Sequence, residues 1–175
     1  AVENGILESG DFAAHCVHVD SNEIGLLAKN DIGVIHCPAS NMKLASGIAP
    51  VQELLDSGVR VGLGTDGAAS NNDLDLFGEM RDAAMVGKLA TGNASSVNAT
   101  SVVSMATSEG SKILGFPGGE IKVGQNADIA VLDLESAHLT PIRGGTSLLV
   151  YSANGSDVVH TICGGEILMR DRKIM

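Results

Sequence analysis

Hydrophobic and polar residues alternate in two different ways along the chain, and the first way extends to residue 115. Short apolar runs recur there, each followed by a segment whose apolar residues repeat at helical spacing. The runs predict strands at residues 12–17, 33–37 and 59–64, and the segments after them predict helices at residues 21–30, 49–58 and 73–90. Three strand–helix units in succession predict parallel strands with right-handed crossovers, and therefore an α/β fold.

Two short helices are predicted at residues 99–107 and 108–115, and the pattern changes after them. Short apolar runs separated by Gly-rich and Asp-Arg turns then follow, which is typical of antiparallel β structure. These runs cover residues 120–124, 127–134, 157–165 and 166–175. The sequence thus predicts two domains, residues 1–118 and residues 119–175, while residues 144–155 fit a helix or a strand.

Within the second predicted domain, we expect the first two apolar runs to pair with each other as antiparallel strands. The last hairpin is expected to turn at Gly164 and Gly165, because two adjacent glycines suit a tight turn between strands. His138 and His160 also fall in this domain, and we expect neither of them to be catalytic.

Composition excludes several classes of function. The formal net charge is −10 and the eleven Lys and Arg residues are scattered, so the chain lacks the basic surface that binds nucleic acid or an anionic membrane. No apolar stretch reaches the ~18 residues that cross a bilayer, and a cytoplasmic protein is the expectation. Three cysteines without a C-x-x-C pair predict neither a disulfide framework nor a structural zinc clip.

The stretch Gly62-x-Gly64-x-x-Gly67 has the spacing of a dinucleotide-binding turn. Such a turn needs a helix that begins inside it, and an acidic residue at the end of a second strand ~20 residues further on. The best helix caps, at residues 70–73, come after the third glycine, and residues 74–90 have a helical pattern where that strand should be. The sequence therefore favours a turn that positions a catalytic or metal-binding side chain, Asp66, over a dinucleotide-binding turn.

One polar residue stands at the end of each of the three predicted strands: His15, His36 and Asp66. In parallel α/β barrels, the carboxyl ends of the strands gather the catalytic groups. Any one of these residues alone would more often be structural, for example by hydrogen bonding a loop. Their recurrence at equivalent positions raises the odds of a functional site, although the pattern by itself leaves both interpretations open.

Several long motifs carry a resemblance to a known family. The segments AAHCVH, HCPASNMKLASGIAPVQELLDSGV and VGLGTDGAASNNDLDLFGEMR resemble the C-terminal half of the amidohydrolase superfamily, in its branch of 5-methylthioadenosine/S-adenosylhomocysteine deaminases and related chlorohydrolases. The segment GEIKVGQNADIAVLDL is similar to the one that leads these chains into a small β domain. The resemblance covers residues 12–175 and implies strands six to eight of a (β/α)8 barrel, followed by part of that domain.

The resemblance also implies roles for three residues. Asp66 matches the aspartate after barrel strand eight, which binds Zn2+ or another divalent metal, contacts the substrate and takes a proton from the attacking water. His15 matches the histidine after strand six, which hydrogen-bonds that water, and Ser70 matches a substrate-pocket position. A bound metal lowers the pKa of water towards ~7, and a carboxylate beside it can pass the proton to leaving ammonia.

Other metal ligands of the family have no match in this sequence. The H-x-H pair of strand one and the histidine of strand five are absent, and His15 and His18 belong to the strand-six motif. A complete barrel also needs eight strands and about 200 residues or more. We therefore expect a piece of a larger enzyme that needs the missing N-terminal half, and whether it forms a homo-oligomer is left open.

The expected activity of the complete enzyme is hydrolytic deamination of an adenosine-type nucleoside, a small-molecule substrate, with a metal-bound hydroxide displacing ammonia. Two alternatives stay open. The first is a guanine-type deaminase or a triazine chlorohydrolase of the same superfamily, because substrate choice rests largely on the absent half. The second is that this chain alone is an inactive structural half, because one carboxylate cannot hold zinc against water.

Several neighbouring polar residues are expected to be structural. We expect Asn41 and Lys43 to fix the backbone of the loop after the second strand. Glu79 and Arg81 begin a helix well past Asp66, and we expect them to form surface or interhelix pairs. For His36 the sequence leaves two roles open, holding loop geometry or meeting the substrate.

Overall fold

The computed structural model describes residues 4–175, which contain two sheets. The first sheet consists of β1 (Phe12–Ala14), β2 (Gly33–His36) and β3 (Val61–Leu63), which lie parallel in that order. Ala14 pairs with Ile35 and His36 pairs with Leu63, so the three strands end at one common edge. The predicted strands and their parallel arrangement are confirmed.

Eight α-helices lie in residues 4–175: α1 (Ser21–Lys29), α2 (Pro38–Lys43), α3 (Val51–Asp56), α4 (Ala68–Asn71), α5 (Leu76–Thr91), α6 (Ala99–Ala106), α7 (Ser108–Leu114) and α8 (Gly145–Tyr151). The longest, α5, begins after Asp75, whose side chain accepts a hydrogen bond from the backbone N–H of Phe77, and ends at Gly92 in the left-handed conformation. None of these helices combines the length and the apolar character needed to span a membrane.

Two short helices differ from the sequence-based expectation. Residues 38–43, predicted as a polar loop, form α2, which has Pro38 at its start, where the missing N–H of proline leaves no hydrogen bond unmade. The single turn α4 follows Gly67 directly, whereas the best helix caps were expected at residues 70–73. Both helices lie at the carboxyl edge of the parallel sheet, and they position polar side chains there.

The main hydrophobic core lies on one face of the parallel sheet. Val34 and Val61 are fully buried, and they belong to one cluster with Ile24 of α1 and Leu54 of α3. Residues from α5 and α6 complete the cluster, among them Ala83 and Val102. Burying a side chain of this size stabilises the fold by about 1.5–3 kcal/mol, so the sheet and its helices depend on one another.

The opposite face of the sheet is approached closely by α7. Successive residues of a strand point to opposite faces, so Gly33 and Gly62 face away from the main core. A Cβ atom at Gly33 would lie 2.9 Å from the side chain of Ile113, and one at Gly62 would lie 3.3 Å from the Cα atom of Gly110. These two glycines therefore allow α7 to pack against the strands.

The second sheet is antiparallel and contains β4 (Ile129–Leu132), β5 (Val158–Cys163), β6 (Glu166–Arg170) and β7 (Lys173–Ile174) in that order. The hairpin between β5 and β6 turns at Gly164 and Gly165, the predicted turn position, and both residues have positive φ. It is not the last hairpin, because β6 pairs with β7 in a further one. A turn with two positive φ values matches the twist of the flanking strands.

The prediction of a strand at residues 120–124 is wrong. This segment forms no strand, and β4 pairs with β5 instead, placing Val131 opposite His160. A turn interrupts the segment, because Gln125 donates its backbone N–H to the carbonyl of Lys122 and Gly124 takes a positive φ. The apolar residues Ile121 and Val123 stay exposed. Their alternation is typical of a strand, but no neighbouring strand pairs with this segment in the described residues.

The segment at residues 144–155, which fits a helix or a strand by sequence, forms α8. Val150 of this helix is fully buried in the main core, and Arg81 of α5 donates to the backbone carbonyl of Ala153 at 3.0 Å. This part of the chain is thus packed on α5 and α6, although it follows the predicted boundary between residues 118 and 119. That division into two domains stays a prediction.

Two glycines of α5 should respond in opposite ways to alanine. At Gly78 a Cβ atom would meet no heavy atom within 4 Å, so Gly78→Ala should raise the free energy of unfolding by about 1 kcal/mol through helix propensity. At Gly87 a Cβ atom would lie 2.4 Å from Val97, so Gly87→Ala should lower it by about 1–3 kcal/mol through overpacking. Urea unfolding of the full-length protein measures both, and equal effects would contradict this packing.

Candidate active site

The site lies at the carboxyl edge of the parallel sheet. His15 directly follows β1, and its backbone N–H donates to the carbonyl of Ile35 at 2.9 Å. Asp66 lies just beyond β3, where Gly64 donates to the carbonyl of His36 at 3.0 Å. His15 and Asp66 both have φ near +60°, a conformation that non-glycine residues rarely adopt and that is concentrated at functional sites.

Two hydroxyl groups converge on one oxygen of Asp66. Ser40 of α2 donates to Oδ2 at 2.6 Å, and Ser70 of α4 donates to the same atom at 2.7 Å. Together with a backbone hydrogen bond from Gly67, they stabilise the ionised carboxylate and lower its pKa to about 2. The side chain is 36% exposed, so an ionised and accessible carboxylate stands at the sheet edge at neutral pH.

The imidazole of His15 is oriented by Asn41. Its Nδ1 atom lies 2.8 Å from Oδ1 of Asn41, and an amide oxygen can only accept, so Nδ1 carries the hydrogen. In the neutral ring, Nε2 is then a free acceptor, and it faces Oδ2 of Asp66 at 4.0 Å. Two acceptors at this separation suit a water molecule that donates to both, or a cation between them.

His36 differs from the other two strand-end residues. It is only 2% exposed, and burial, followed by the nearby His15, lowers its pKa to about 4, so the ring is neutral at pH 7. Its Nδ1 atom has no hydrogen-bond partner within residues 4–175. The structure thus brings His15 and Asp66 together. His36 is buried near them and takes part in none of the side-chain hydrogen bonds that His15 and Asp66 make.

Sequence reasoning missed Ser40 and misassigned Asn41. Asn41 was expected to fix its loop, yet its side-chain oxygen binds the His15 ring, and Ser40 beside it binds Asp66. Pro38 was the available signal, because a proline that opens a helix would have placed both residues in one helical turn. Lys43 does have a structural role, since its Nζ atom donates to the carbonyl of Ala69 at 2.9 Å.

Of the two roles expected for Glu79, a surface pair or an interhelix pair, the structure supports the interhelix pair, because Glu79 of α5 contacts both α2 and α4. Its side chain is 1% exposed, and it accepts hydrogen bonds from the backbone N–H of Ala39 at 3.2 Å and from Nδ2 of Asn71 at 2.5 Å. Burial raises the pKa of this carboxyl group, and the two hydrogen bonds oppose that rise. A carboxylate of α5 thus contacts the segments that carry Ser40 and Ser70.

The glycines around Asp66 serve packing and turning. A Cβ atom at Gly62 would lie 3.0 Å from Ile35, and one at Gly64 would lie 2.8 Å from the same side chain. The Gly67 backbone hydrogen bonds to Asp66, so the carboxylate occupies a donor that a phosphate group would need. This geometry favours a turn that positions the Asp66 side chain over a dinucleotide-binding turn.

The donor set fits part of a metal site. A zinc ion in a catalytic site takes three protein ligands, commonly His, Asp, Glu or Cys. In the part of the chain that the structure describes, no three such side chains come close enough together to hold a metal. Asp66 supplies an ionised oxygen ligand at an accessible position, so residues from elsewhere would have to complete a metal site.

Comparison with known proteins agrees with this geometry. The amidohydrolase family model matches residues 5–168. A 5-methylthioadenosine/S-adenosylhomocysteine deaminase of Haloarcula marismortui is 62% identical over 97% of this chain and 39% of its own length. A 5'-deoxyadenosine deaminase of Methanosarcina mazei is 51% identical over 93% of this chain and 38% of its own length.

Solved structures with similar folds point to the same group. An adenosine deaminase from Xanthomonas campestris with bound zinc has a TM-score of 0.96 and 35% identity, over 99% of this chain and 40% of that one. An atrazine chlorohydrolase from Arthrobacter aurescens complexed with zinc has a TM-score of 0.87 and 28% identity, over 94% of this chain and 37% of that one. The chain thus spans about two fifths of the length of these relatives, and it belongs to the amidohydrolase family.

Proposed function

We propose that the chain is the C-terminal part of a metal-dependent hydrolytic deaminase that acts on adenosine-type nucleosides. The observation that carries the proposal is the pair formed by Asp66 and His15. An ionised carboxylate and the Nε2 atom of an imidazole whose Nδ1 is bound to Asn41 lie 4.0 Å apart at the carboxyl edge of parallel strands. The names of the relatives, 5-methylthioadenosine/S-adenosylhomocysteine deaminase and 5'-deoxyadenosine deaminase, support this substrate class.

The residues of this chain account for the proton transfers of such a reaction. A divalent metal, Zn2+ in the solved neighbours, would be bound in part by Asp66 and would lower the pKa of water. Nε2 of His15 accepts a hydrogen bond from the attacking water and orients it. Asp66 takes the proton of that water and delivers it to the leaving amino group, so a C–O bond forms, the C–N bond breaks and ammonia departs.

Ser40 and Ser70 hold the acceptor oxygen of Asp66 in place during these steps. Their hydroxyl groups stabilise its ionised form, which is the form that can accept a proton. Ser70 was predicted at the substrate pocket, and its hydrogen bond to Asp66 supports a position near the reacting groups. We infer that it acts mainly through the carboxylate.

The remainder of the site belongs to the part of the protein outside this chain. We infer that β1, β2 and β3 correspond to strands six to eight of a (β/α)8 barrel, with residues 1–118 in the barrel and residues 119–175 in a small β domain. The missing N-terminal part would supply further strands and metal ligands. The chain alone would then be a structural half without activity, because residues 4–175 hold no three-ligand group.

A triazine chlorohydrolase is the second candidate, because an atrazine chlorohydrolase shares the fold with a TM-score of 0.87. Its 28% identity compares with 62% for a methylthioadenosine/S-adenosylhomocysteine deaminase. Both reactions use water to displace a leaving group from a nitrogen heterocycle, so the same two residues would serve either one. His15 and Asp66 therefore do not distinguish the two candidates, and only the substrate that the protein converts does.

The substrate class is tested with the full-length protein loaded with Zn2+. We expect ammonia release from methylthioadenosine, S-adenosylhomocysteine or 5'-deoxyadenosine, no ammonia from guanine, and no chloride release from chlorotriazines. The 175-residue chain assayed alone should be inactive, because it lacks a complete ligand set. Turnover of a chlorotriazine with no adenosine derivative converted would favour the second candidate.

The roles of Asp66 and His15 are tested by substitution in the full-length protein. Asp66→Asn keeps the shape and one oxygen ligand but removes the base, so kcat should fall by about 10² or more and metal binding should weaken. His15→Asn should lower turnover while metal content stays near that of wild type, because its partner is the water. His138→Asn and His160→Asn serve as controls with nearly unchanged turnover, and a fully active Asp66→Asn enzyme would refute the assignment.

The hydroxyl donors of Asp66 should be visible in the pH dependence of stability. Replacing both Ser40 and Ser70 by Ala should raise the pKa of Asp66 from about 2 towards its ordinary value of 3.8. A carboxyl group with a lowered folded-state pKa stabilises the protein above its unfolded pKa, and this contribution is lost as pH falls through the folded pKa.

Metal-free wild-type protein should therefore lose more unfolding free energy than the double variant between about pH 5 and about pH 2. Urea unfolding across this range measures the difference. Ser46→Ala is the matched control, because Ser46 is exposed and makes no side-chain hydrogen bond to Asp66. Identical pH dependence in wild type and the double variant would mean that the hydroxyl groups do not set this pKa.

A further inference from the structure

Two very short helices carry the side chains that surround Asp66. Ser40 lies in α2, which has six residues, and Ser70 lies in α4, which has four. Helices of this length are not stable by themselves, because the cost of the first turn is recovered only over ~12–15 residues. Contacts outside the two helices must therefore fix where the hydroxyl groups lie.

A single carboxylate of α5 contacts both segments. Oε2 of Glu79 accepts from the backbone N–H of Ala39, the residue before Ser40. Oε1 of Glu79 accepts from Nδ2 of Asn71, the residue after Ser70. Glu79 thus joins the neighbour of one hydroxyl donor to the neighbour of the other.

The helix that carries Glu79 is fixed in position by its packing in the main core. The sixteen residues of α5 are anchored in the main core through Met80, Ala83 and Ala84, which are buried. Short segments that hydrogen bond to such a helix take their position from it. The separation between Ser40 and Ser70 is then set by the two oxygens of one side chain.

The chemistry of the contact requires a carboxylate. The amide of Asn71 is fixed in orientation, because its Oδ1 atom accepts from the backbone N–H of Leu74 at 2.7 Å. Both groups that face Glu79 are therefore donors, and only a carboxylate offers two acceptor oxygens. Among residues 4–175 no ion pair includes Glu79, so its burial carries a cost that these hydrogen bonds must offset.

We propose that Glu79 is a positioning residue that holds Ser40 and Ser70 at the correct distance from Oδ2 of Asp66. It touches neither the substrate nor the reacting atoms in this scheme, and it acts through Ala39 and Asn71. The consequence for turnover rests on the proposed function, whereas the consequence for the two short helices does not.

The first test measures turnover of the full-length enzyme with Glu79→Gln, using whichever substrate the wild type converts. Glutamine has one acceptor oxygen and presents an NH2 group to the other donor, so one of the two segments should shift. We expect kcat to fall by about 10-fold to 10²-fold, as small misplacements of catalytic groups do, with KM changed much less. Glu53→Gln, at an exposed position of α3, is the matched control and should keep wild-type kcat.

A double-mutant cycle separates positioning from general stabilisation. In a background that carries Ser40→Ala and Ser70→Ala, no hydroxyl group remains to be positioned, so Glu79→Gln should lower kcat by less than about threefold further. An unchanged kcat in the wild-type background, or the same fall in both backgrounds, would overturn the proposal.

A second measurement does not depend on activity. Hydrogen–deuterium exchange of the full-length protein should show faster exchange in Glu79→Gln at α2 or at α4, whichever loses its acceptor oxygen, with α1 unchanged. Unaltered exchange at both short helices would overturn the proposal even if turnover fell. A protein that converts only chlorotriazines would refute the nucleoside assignment, and the same Glu79 comparisons would then be made with that substrate.

Discussion

Parallel pairing of three short strands is the constraint on which the site depends. The ladder continues past the strand ends through the bonds from His15 to Ile35 and from Gly64 to His36. Because of this register, the residues after β1 and β3 emerge at one edge, although they are far apart in sequence. The buried apolar residues on the sheet face, such as Val34 and Val61, stabilise the site indirectly by keeping this register fixed.

Sequence alone predicted the elements that follow from periodicity. The three strands, the long helix α5 and the turn at Gly164 were predictable, because alternation, helical spacing and glycine pairs report local preferences. The positions of His15 and Asp66 at strand ends followed from the same reasoning. Their 4.0 Å separation did not, because it depends on left-handed backbone conformations that no pattern of apolar residues encodes.

The failures have identifiable physical causes. Residues 120–124 have the composition of a strand, but strand formation needs a partner edge, and the turn at Gly124 leaves them without one. For Glu79 the sequence left a surface pair and an interhelix pair open, because carboxylates are rarely buried, and two donors from α2 and α4 decide for the buried interhelix role. Ser40 was overlooked because its partner comes from another strand end. The contacts of Glu79 and Ser40 that the sequence did not predict join segments that are distant along the chain.

The identity of the donors around Asp66 bears directly on what the site can bind. A lysine or arginine could also keep the carboxylate ionised, but it would neutralise the charge that a metal needs. Ser40 and Ser70 stabilise the ionised form without adding positive charge, and no Lys or Arg pairs with Asp66 in the described part of the chain. His15 is held by Asn41 with its Nε2 atom towards Asp66, and burial lowers the pKa of His36 so that the His36 ring is neutral. This edge therefore carries a negative charge that neutral donors hold in place and that a divalent cation would balance.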